Sequence, residues 1–170
     1  HYTADLKGTR YSPLDQINAS NFNKLEVAWR FKTDNLGPFP EYKLEGTPLM
    51  VKGVLYTTGG TRRSVVALDG KTGELIWAHS MREGKRAAAA PRQLSGRGVA
   101  YWPGTASRGA RVVLGTTDGR LISVDAASGM PDEAFGSKGV VNLRVGIERD
   151  LSDMNYGMSS PPGIYGNLAI

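Results

Sequence analysis

The sequence predicts an all-β protein built from repeated four-stranded antiparallel sheets, as the blades of a β-propeller are. Three observations support this prediction. Similar segments recur about every 57 residues along the 170-residue chain. Each copy consists of short runs rich in Val, Ile, Leu, Tyr and Thr, interrupted by Gly, Asp, Asn and Pro. Helical periodicity of apolar residues is poor throughout the sequence.

The clearest copies of the repeat are two segments in which an apolar run leads into a turn. The first run ends at Asp69 and is followed by Gly73, and the second ends at Asp125 and is followed by Gly129, 56 residues later in each case. An Asp carboxylate can accept hydrogen bonds from the next backbone N–H groups, and Gly can adopt a positive φ. Both segments are therefore predicted to be tight turns between strands.

A third copy of the repeat is weaker and begins near the end of the sequence, where residues 162–170 match residues 48–56 with an offset of 114. At this spacing the chain holds about three blades, whereas propellers close with four to eight. We therefore expect the chain to be the N-terminal part of one larger propeller domain, with blades at about residues 30–80, 95–136 and 155–170 onward. A complete, irregular β-sandwich is the alternative.

The composition excludes several other kinds of protein. The chain contains no Cys, which excludes a disulfide scaffold, a thiolate metal site and a Cys nucleophile. No apolar run approaches the roughly 18 residues that a membrane helix requires. The net charge is +5, but the densest basic cluster, at residues 82–92, lacks interleaved aromatic residues, so we expect no nucleic-acid partner. Two His residues, His1 and His79, are too few for a histidine metal site.

The segment at residues 67–77, ALDGKTGELIW, resembles the tryptophan-docking motif A-x-D-x-x-T-G-x-x-x-W. That motif marks the blades of quinoprotein dehydrogenases, which use pyrroloquinoline quinone (PQQ). The resemblance implies that Trp77 packs against the neighbouring blade. The second copy departs from the motif, because Ser128 replaces the Thr and Phe135 stands six residues after Gly129, where a Trp would stand at four.

Other segments resemble the same family, and together they cover nearly the whole chain in the family's order. They are residues 9–18 with 25–29, residues 97–104, and residues 135–143 with 159–162, the last pair being similar to the membrane glucose dehydrogenase branch. The chain therefore resembles the N-terminal portion of the eight-bladed propeller of PQQ-dependent sugar and alcohol dehydrogenases. A non-catalytic propeller of the same repeat type, acting as a protein-interaction scaffold, is the alternative.

Three polar residues are candidates for a site at the propeller axis. Glu45 and Ser159 each lie three residues before a Pro at equivalent positions of the first and third copies, and Arg97 opens the corresponding strand of the second. Innermost strands begin near the axis, so these side chains are predicted to converge on one cavity. The resemblance implies that Arg97 binds a PQQ carboxylate or the quinone edge, with Glu45 and Ser159 as further hydrogen-bonding contacts. Beside anionic PQQ, Glu45 would need a cation or a proton.

Two departures leave the substrate open between sugars and alcohols. Part of the alcohol-oxidising branch has adjacent cysteines stacked on PQQ, and Pro91 and Arg92 stand in their places here. The glucose branch has a His where this chain has Trp102, a residue that it shares with the alcohol branch.

The resemblance also implies what the rest of such a protein does. It predicts a periplasmic bacterial oxidoreductase that uses PQQ and Ca²⁺ and passes electrons to ubiquinone or a cytochrome, with membrane association only through parts outside this chain. In the family, the general base and the calcium ligands lie downstream of the region present here. We therefore expect no catalytic or metal-binding residue in the chain, give Asp150 and Asp153 no such role, and expect the 170 residues alone to be inactive.

Overall fold

The computed structural model describes residues 7–38, 44–61, 63–80, 98–151, 154, 156–158 and 160–170. The chain divides into two compact units, residues 1–30 and 31–170. The described part of the first unit contains one short 3-10 turn, Phe22–Lys24. A side-chain network leads into this turn: the Asn21 Oδ1 atom accepts from the Asn18 N–H at 2.9 Å, and its amide donates to the Gln16 carbonyl at 2.7 Å.

The described residues of the second unit form two four-stranded antiparallel sheets and a hairpin, which confirms the predicted architecture. Sheet one consists of β1 (Leu49–Val51), β2 (Val54–Gly59), β3 (Ser64–Asp69) and β4 (Leu75–His79). Sheet two consists of β5 (Ala100–Trp102), β6 (Arg111–Gly115), β7 (Arg120–Asp125) and β8 (Val140–Asn142). The third repeat contributes a separate hairpin of β9 (Ile164–Tyr165) and β10 (Leu168–Ala169), which we call the third hairpin. In both sheets the strands follow one another in chain order. The described residues of this unit include one 3-10 turn, Asp34–Leu36.

The third hairpin reproduces the first hairpin of sheet one. Val51 pairs with Val54 across a two-residue turn, and Tyr165 pairs with Leu168 in the same way, at the offset of 114 expected from the sequence. The last strand of sheet two, Val140–Asn142, lies beyond residue 136, where the sequence analysis ended the second blade. The blade limits themselves stay a prediction.

The two Asp–Gly turns have the same hydrogen bonds, as their sequences predict. The Asp69 Oδ1 atom accepts from the N–H groups of the second and third residues after it, at 2.8 Å each, and Asp125 does the same at 3.1 and 3.0 Å. Gly73 and Gly129 close the turns with φ values of 75° and 71°. These bonds lower the pKa of Asp69 below its usual value.

The core lies between sheet one and sheet two. β3 is apolar and buried at successive positions, which indicates that both faces of the sheet are covered. Because side chains alternate between the faces of a strand, Val65 and Ala67 share one face of β3. These two side chains belong to the same buried apolar cluster as Val112 and Val124, which lie on the central strands of sheet two.

Trp77 on β4 closes this core on its outer side and contacts the neighbouring sheet, as the motif implies. Its indole Nε1 donates to the Ala126 carbonyl at 3.1 Å, and the Tyr56 hydroxyl donates to the same carbonyl at 3.1 Å. A Cβ placed on Gly129 would lie 2.6 Å from the Trp77 ring. The turn at residues 125–129 of the second repeat therefore packs against Trp77 of the first repeat.

Candidate cofactor site

The first strands of the three repeats start side by side. Thr47, just before β1, forms a parallel bridge with Gly98, just before β5. A Cβ placed on Gly98 would lie 3.0 Å from the Thr47 carbonyl oxygen and 3.4 Å from Cγ of Pro161, which precedes β9. Gly98 has a φ of 116°, a conformation that side-chain-bearing residues rarely adopt. The three strand starts therefore meet at a residue that has to be Gly.

The three candidate cofactor residues belong to the segments that meet here. Glu45 lies in the segment before β1 and is exposed. Arg97 precedes Gly98 directly, and Ser159 lies two residues before Pro161. Arg97 and Ser159 are outside the described residues, as are Pro91 and Arg92. The structure thus brings together the chain segments that carry the three residues, and their roles stay a prediction.

A tight turn between β6 and β7, at residues 116–120, lies against the chain that leads to Ser159. The Thr116 N–H donates to the Arg120 carbonyl at 2.8 Å, and the Arg120 N–H donates to the Thr116 hydroxyl at 2.9 Å. On its outer side, the Thr116 carbonyl accepts from the Met158 N–H at 2.9 Å. A Cβ on Gly157 would overlap the carbonyl of Thr117, so the two backbones are in close contact.

Asp118 in this turn is a buried carboxylate that faces cations from both sheets. It is 5% exposed, accepts the Thr116 hydroxyl, and pairs with Arg120, whose Nε lies 3.0 Å from its oxygens. Arg63, from the connection between β2 and β3 of sheet one, is also 5% exposed. Burial lowers the pKa of Arg63, the charge of Asp118 opposes that shift, and Arg120 adds to it. Arg63 stands at the end of the connection between β2 and β3, which are paired antiparallel.

A second polar group lines a cavity of about 230 Å³ between sheet two and the third hairpin. The Oδ2 atom of Asp132 pairs with Arg108 Nη2 at 2.8 Å and with Arg111 Nε at 3.0 Å. The Arg108 guanidinium also lies 5.7 Å from the centre of the Trp102 ring. Trp102 itself donates from Nε1 to the Gly166 carbonyl at 3.1 Å, so its indole contacts the third hairpin.

The charges around this cavity are balanced. Arg111 also pairs with Asp125 at 3.0 Å, so two guanidinium groups face two carboxylates. Burial acts to raise the pKa of Asp132, but the hydrogen bonds from Arg108 and Arg111 outweigh it and lower the pKa below its usual value. The carboxylate is therefore ionised near neutral pH. A balanced group gives an anionic cofactor no net electrostatic attraction.

Comparison with known proteins identifies the family. The family model for the PQQ glucose/ethanol/alcohol dehydrogenase β-propeller domain matches residues 1–170. The chain belongs to this family. The dehydrogenase subunit of a quinone alcohol dehydrogenase from Gluconobacter oxydans is 43% identical over 130 residues, which cover 75% of this chain and 16% of that protein. A quinoprotein glucose dehydrogenase from the same organism is 32% identical over 184 residues, which cover 99% of this chain and 22% of that protein.

A solved structure of the same class agrees with the sequence match. The quinohemoprotein alcohol dehydrogenase from Comamonas testosteroni superposes with a TM-score of 0.76 at 28% identity, covering 98% of this chain and 22% of that one. This quinoprotein chain thus spans about a fifth of the length of the relatives that it matches.

Two further observations concern the described part of the quinoprotein chain. It holds no group of three or more His, Cys, Asp or Glu side chains arranged to bind a metal ion. Within the same residues, no helix has the length and apolar character needed to cross a membrane. Asp150 is described, whereas Asp153 is not.

Two polar groups were missed by the sequence analysis. Arg63 lies in the connection between β2 and β3, and Asp118 lies in the connection between β6 and β7; neither position predicts burial by itself. The position of a basic residue two residues before the apolar run at residues 65–68 was the available signal for Arg63. The Arg108–Asp132 pair had no signal, because its residues come from two loops on opposite sides of β6 and β7.

Proposed function

We propose that this quinoprotein chain forms one side of the PQQ site of a dehydrogenase that oxidises sugars or alcohols. The observation that carries the proposal is the meeting of three strand starts at Gly98, in segments that contain Glu45, Arg97 and Ser159. Membership of the family supports it, as do the relatives, which are alcohol and glucose dehydrogenases. These relatives favour an enzyme over a non-catalytic scaffold.

The residues of this region fit the chemistry of PQQ. PQQ is a planar molecule with three carboxylates and an ortho-quinone, so its site needs a cation and hydrogen-bond donors. Arg97 offers a guanidinium that can hold a carboxylate with two charge-assisted hydrogen bonds. Gly98 has no side chain, which lets the strand starts that carry these residues approach one another closely. Ser159 adds a hydroxyl donor, and Glu45 can accept hydrogen bonds from Arg97 or from a protonated cofactor oxygen.

The residues of this chain bind and orient; they carry no chemical step themselves. When bound, PQQ supplies the group that takes a hydride from the carbon bearing the substrate hydroxyl. Arg97 would hold a PQQ carboxylate and offset part of its negative charge. The strand starts around Gly98 hold the three segments at a constant spacing, so that the cofactor meets the same surface in each turnover.

Further parts of the proposal concern the protein beyond these residues. We propose that Ca²⁺ and the general base are held by segments other than the described ones, and that ubiquinone or a cytochrome accepts the electrons. We also propose a periplasmic location. The isolated 170-residue chain is expected to be inactive, which dye-coupled oxidation of glucose and ethanol with added PQQ and Ca²⁺ would measure.

The binding of PQQ to the intact apoprotein tests the proposed site. Loss of the charge-assisted hydrogen bonds in Arg97→Gln is expected to raise the Kd for PQQ by about 10- to 100-fold. The matched control is Arg149→Gln, which removes the same charge from an exposed loop and is expected to leave the Kd unchanged. An unchanged Kd in Arg97→Gln would contradict the proposal.

A further inference from the structure

We propose that Asp118 is a positioning residue, which joins sheet one to sheet two and fixes the backbone of Tyr156–Met158 beside the cofactor site. The inference rests on the proposed function only where it concerns PQQ. Its structural part concerns the described residues alone. The links from Asp118 to Thr116 and from Thr116 to Met158 are hydrogen bonds in the structure, and Asp118 acts on the buried Arg63 through its charge.

The first link is the interaction of the Asp118 carboxylate with two cations, Arg63 and Arg120. Asp118 and Arg63 are each 5% exposed, and the side chain of Arg120 is 22% exposed. A buried guanidinium is costly unless a carboxylate compensates it. Arg63 comes from the hairpin of sheet one and Arg120 from sheet two, and the charge of Asp118 acts on both. Loss of the carboxylate would leave the buried Arg63 and the partly buried Arg120 without the charge that compensates them.

The second link runs from Asp118 to the backbone of its turn. The Thr116 hydroxyl donates to the Asp118 carboxylate, and the same hydroxyl accepts the Arg120 N–H at 2.9 Å. The Gly119 N–H donates to the Thr116 carbonyl at 3.2 Å. The carboxylate therefore sets the rotamer of Thr116 and, through it, the shape of the turn at residues 116–120.

The third link is from the turn to the segment Tyr156–Met158. The Thr116 carbonyl accepts the Met158 N–H at 2.9 Å, and the Gly157 backbone lies against Thr117. Beside the turn, Arg144 Nη2 donates to the Tyr156 carbonyl at 3.3 Å. The backbone of residues 156–158 is thus held by the turn at residues 116–120 and by Arg144.

This segment leads directly into one of the three strand starts. Met158 precedes Ser159 in the sequence, and Pro161 contacts Gly98 two residues further on. A shift of the turn at residues 116–120 would therefore move the third strand start relative to the other two. Asp118 touches neither PQQ nor substrate in this account, and it acts through the backbone that it holds.

Amide hydrogen exchange of the intact apoprotein tests the structural part without any cofactor. In Asp118→Asn, the Met158 amide is expected to exchange at least about tenfold faster than in the wild type. The matched control is Asp125→Asn, which removes an ion-paired carboxylate from the far end of β7, the strand that follows the turn. That variant is expected to leave Met158 exchange unchanged. Equal exchange at Met158 in Asp118→Asn and the wild type would overturn the proposal.

A second variant covers the case in which Asp118→Asn does not fold. Arg63→Gln leaves the balanced Asp118–Arg120 pair and removes only the link to sheet one, and it is expected to raise Met158 exchange about threefold. No increase in Arg63→Gln would overturn the role assigned to the link between the sheets.

The Kd for PQQ separates the two proposals. Faster Met158 exchange together with a Kd raised about tenfold in Asp118→Asn supports both of them. Faster exchange in a protein whose wild type does not bind PQQ supports the positioning role and overturns the proposed function. A raised Kd with unchanged Met158 exchange overturns the positioning role and leaves the proposed PQQ site unaffected.

Discussion

The two faces of sheet two meet their neighbours by different physical means. The face toward sheet one is apolar and receives Trp77 and Tyr56, whose polar atoms both bond to the Ala126 carbonyl. The face toward the third hairpin is charged and is organised by Asp132, with Arg108 and Arg111 around it. The same repeat thus builds one contact from aromatic burial and the next from buried ion pairs.

The sequence difference behind this contrast is small. The second copy lacks the tryptophan of the motif, and in that region it has Asp132 and Phe135, which both line the cavity. Ser123 in β7 stands where β3 has Ala67, and its hydroxyl lies 3.3 Å from the Asp132 carboxylate. An aromatic contact depends on shape and little on pH, whereas a buried ion pair depends on the charge of both partners. The two faces should therefore respond differently to mutation and to acid.

The largest effect is expected at the aromatic face. Trp77→Ala removes a ring that is 8% exposed and leaves a cavity against Gly129, so the free energy of unfolding should fall by about 3–5 kcal/mol. Urea unfolding of the intact protein measures this. Leu75→Ala, on the same strand but 50% exposed, is the control and should cost less than about 1 kcal/mol. Similar losses in both variants would show that Trp77 does not secure the contact.

A smaller loss is expected at the charged face, and it should depend on pH. Asp132→Asn leaves Arg108 and Arg111 without their carboxylate and should lower the free energy of unfolding by about 2–3 kcal/mol at pH 7. The folded-state pKa of Asp132 lies below its usual value of 3.8, so its contribution is present above pH 3.8 and is lost as the pH falls through the folded-state pKa.

Urea unfolding at pH 7 and at pH 3 tests this pH dependence. The difference between wild type and Asp132→Asn should shrink at the lower pH. Glu133→Gln removes a neighbouring exposed carboxylate and should leave the free energy of unfolding unchanged at both pH 7 and pH 3. A difference that stays the same at both pH values would show that the ion pairs do not stabilise this face.

A pair of glycines separates backbone strain from crowding at the tryptophan contact. Gly129 and Gly53 have φ values of 71° and 83°, but only at Gly129 would a Cβ meet the Trp77 ring. Gly53→Ala should cost about 1 kcal/mol, from the left-handed backbone alone. Gly129→Ala should cost about 2–3 kcal/mol, because the ring has to shift as well. Equal costs, measured by thermal unfolding, would mean that the ring moves freely.

The smallest effect concerns His79, which lies beside the same turn. Its Nδ1 is 3.1 Å from the Gly129 carbonyl, and burial lowers its pKa below the usual 6.5, partly offset by that hydrogen bond. The unfolded chain therefore takes up the proton first, and stability should fall as the pH drops below 6.5. His79→Gln should abolish this decline between pH 6.5 and 5, as followed by urea unfolding. A decline of the same size in His79→Gln would assign it to another group.

Local chemistry made much of the fold predictable from the sequence. The Asp69 and Asp125 turns follow from side chains that bond to their own backbone. The Trp77 contact was implied by the resemblance of residues 67–77 to the tryptophan-docking motif. The third hairpin was predictable from the offset of 114 alone. Each of these features depends on residues that are close together in the sequence or on a repeat of such a pattern.

The remaining features depend on contacts between distant segments. Arg63 is buried because a different hairpin, at residues 116–120, supplies the carboxylate that compensates its charge. Asp132 is buried because two arginines on another loop and strand reach it. For the candidate site, the repeat predicted which three segments meet, and Gly98 is the residue at which they do. Burial of charges across sheets cannot be derived from strand patterns, because the partner is specified elsewhere in the chain.

The proposal that Arg97 binds PQQ is best tested by a structure of the intact protein with PQQ bound, which measures the distance from the Arg97 guanidinium to the cofactor. We expect a nitrogen-to-oxygen distance of about 2.7–3.2 Å to a PQQ carboxylate or quinone oxygen, next to Gly98. PQQ bound away from the three strand starts, with Arg97 out of contact, would contradict it.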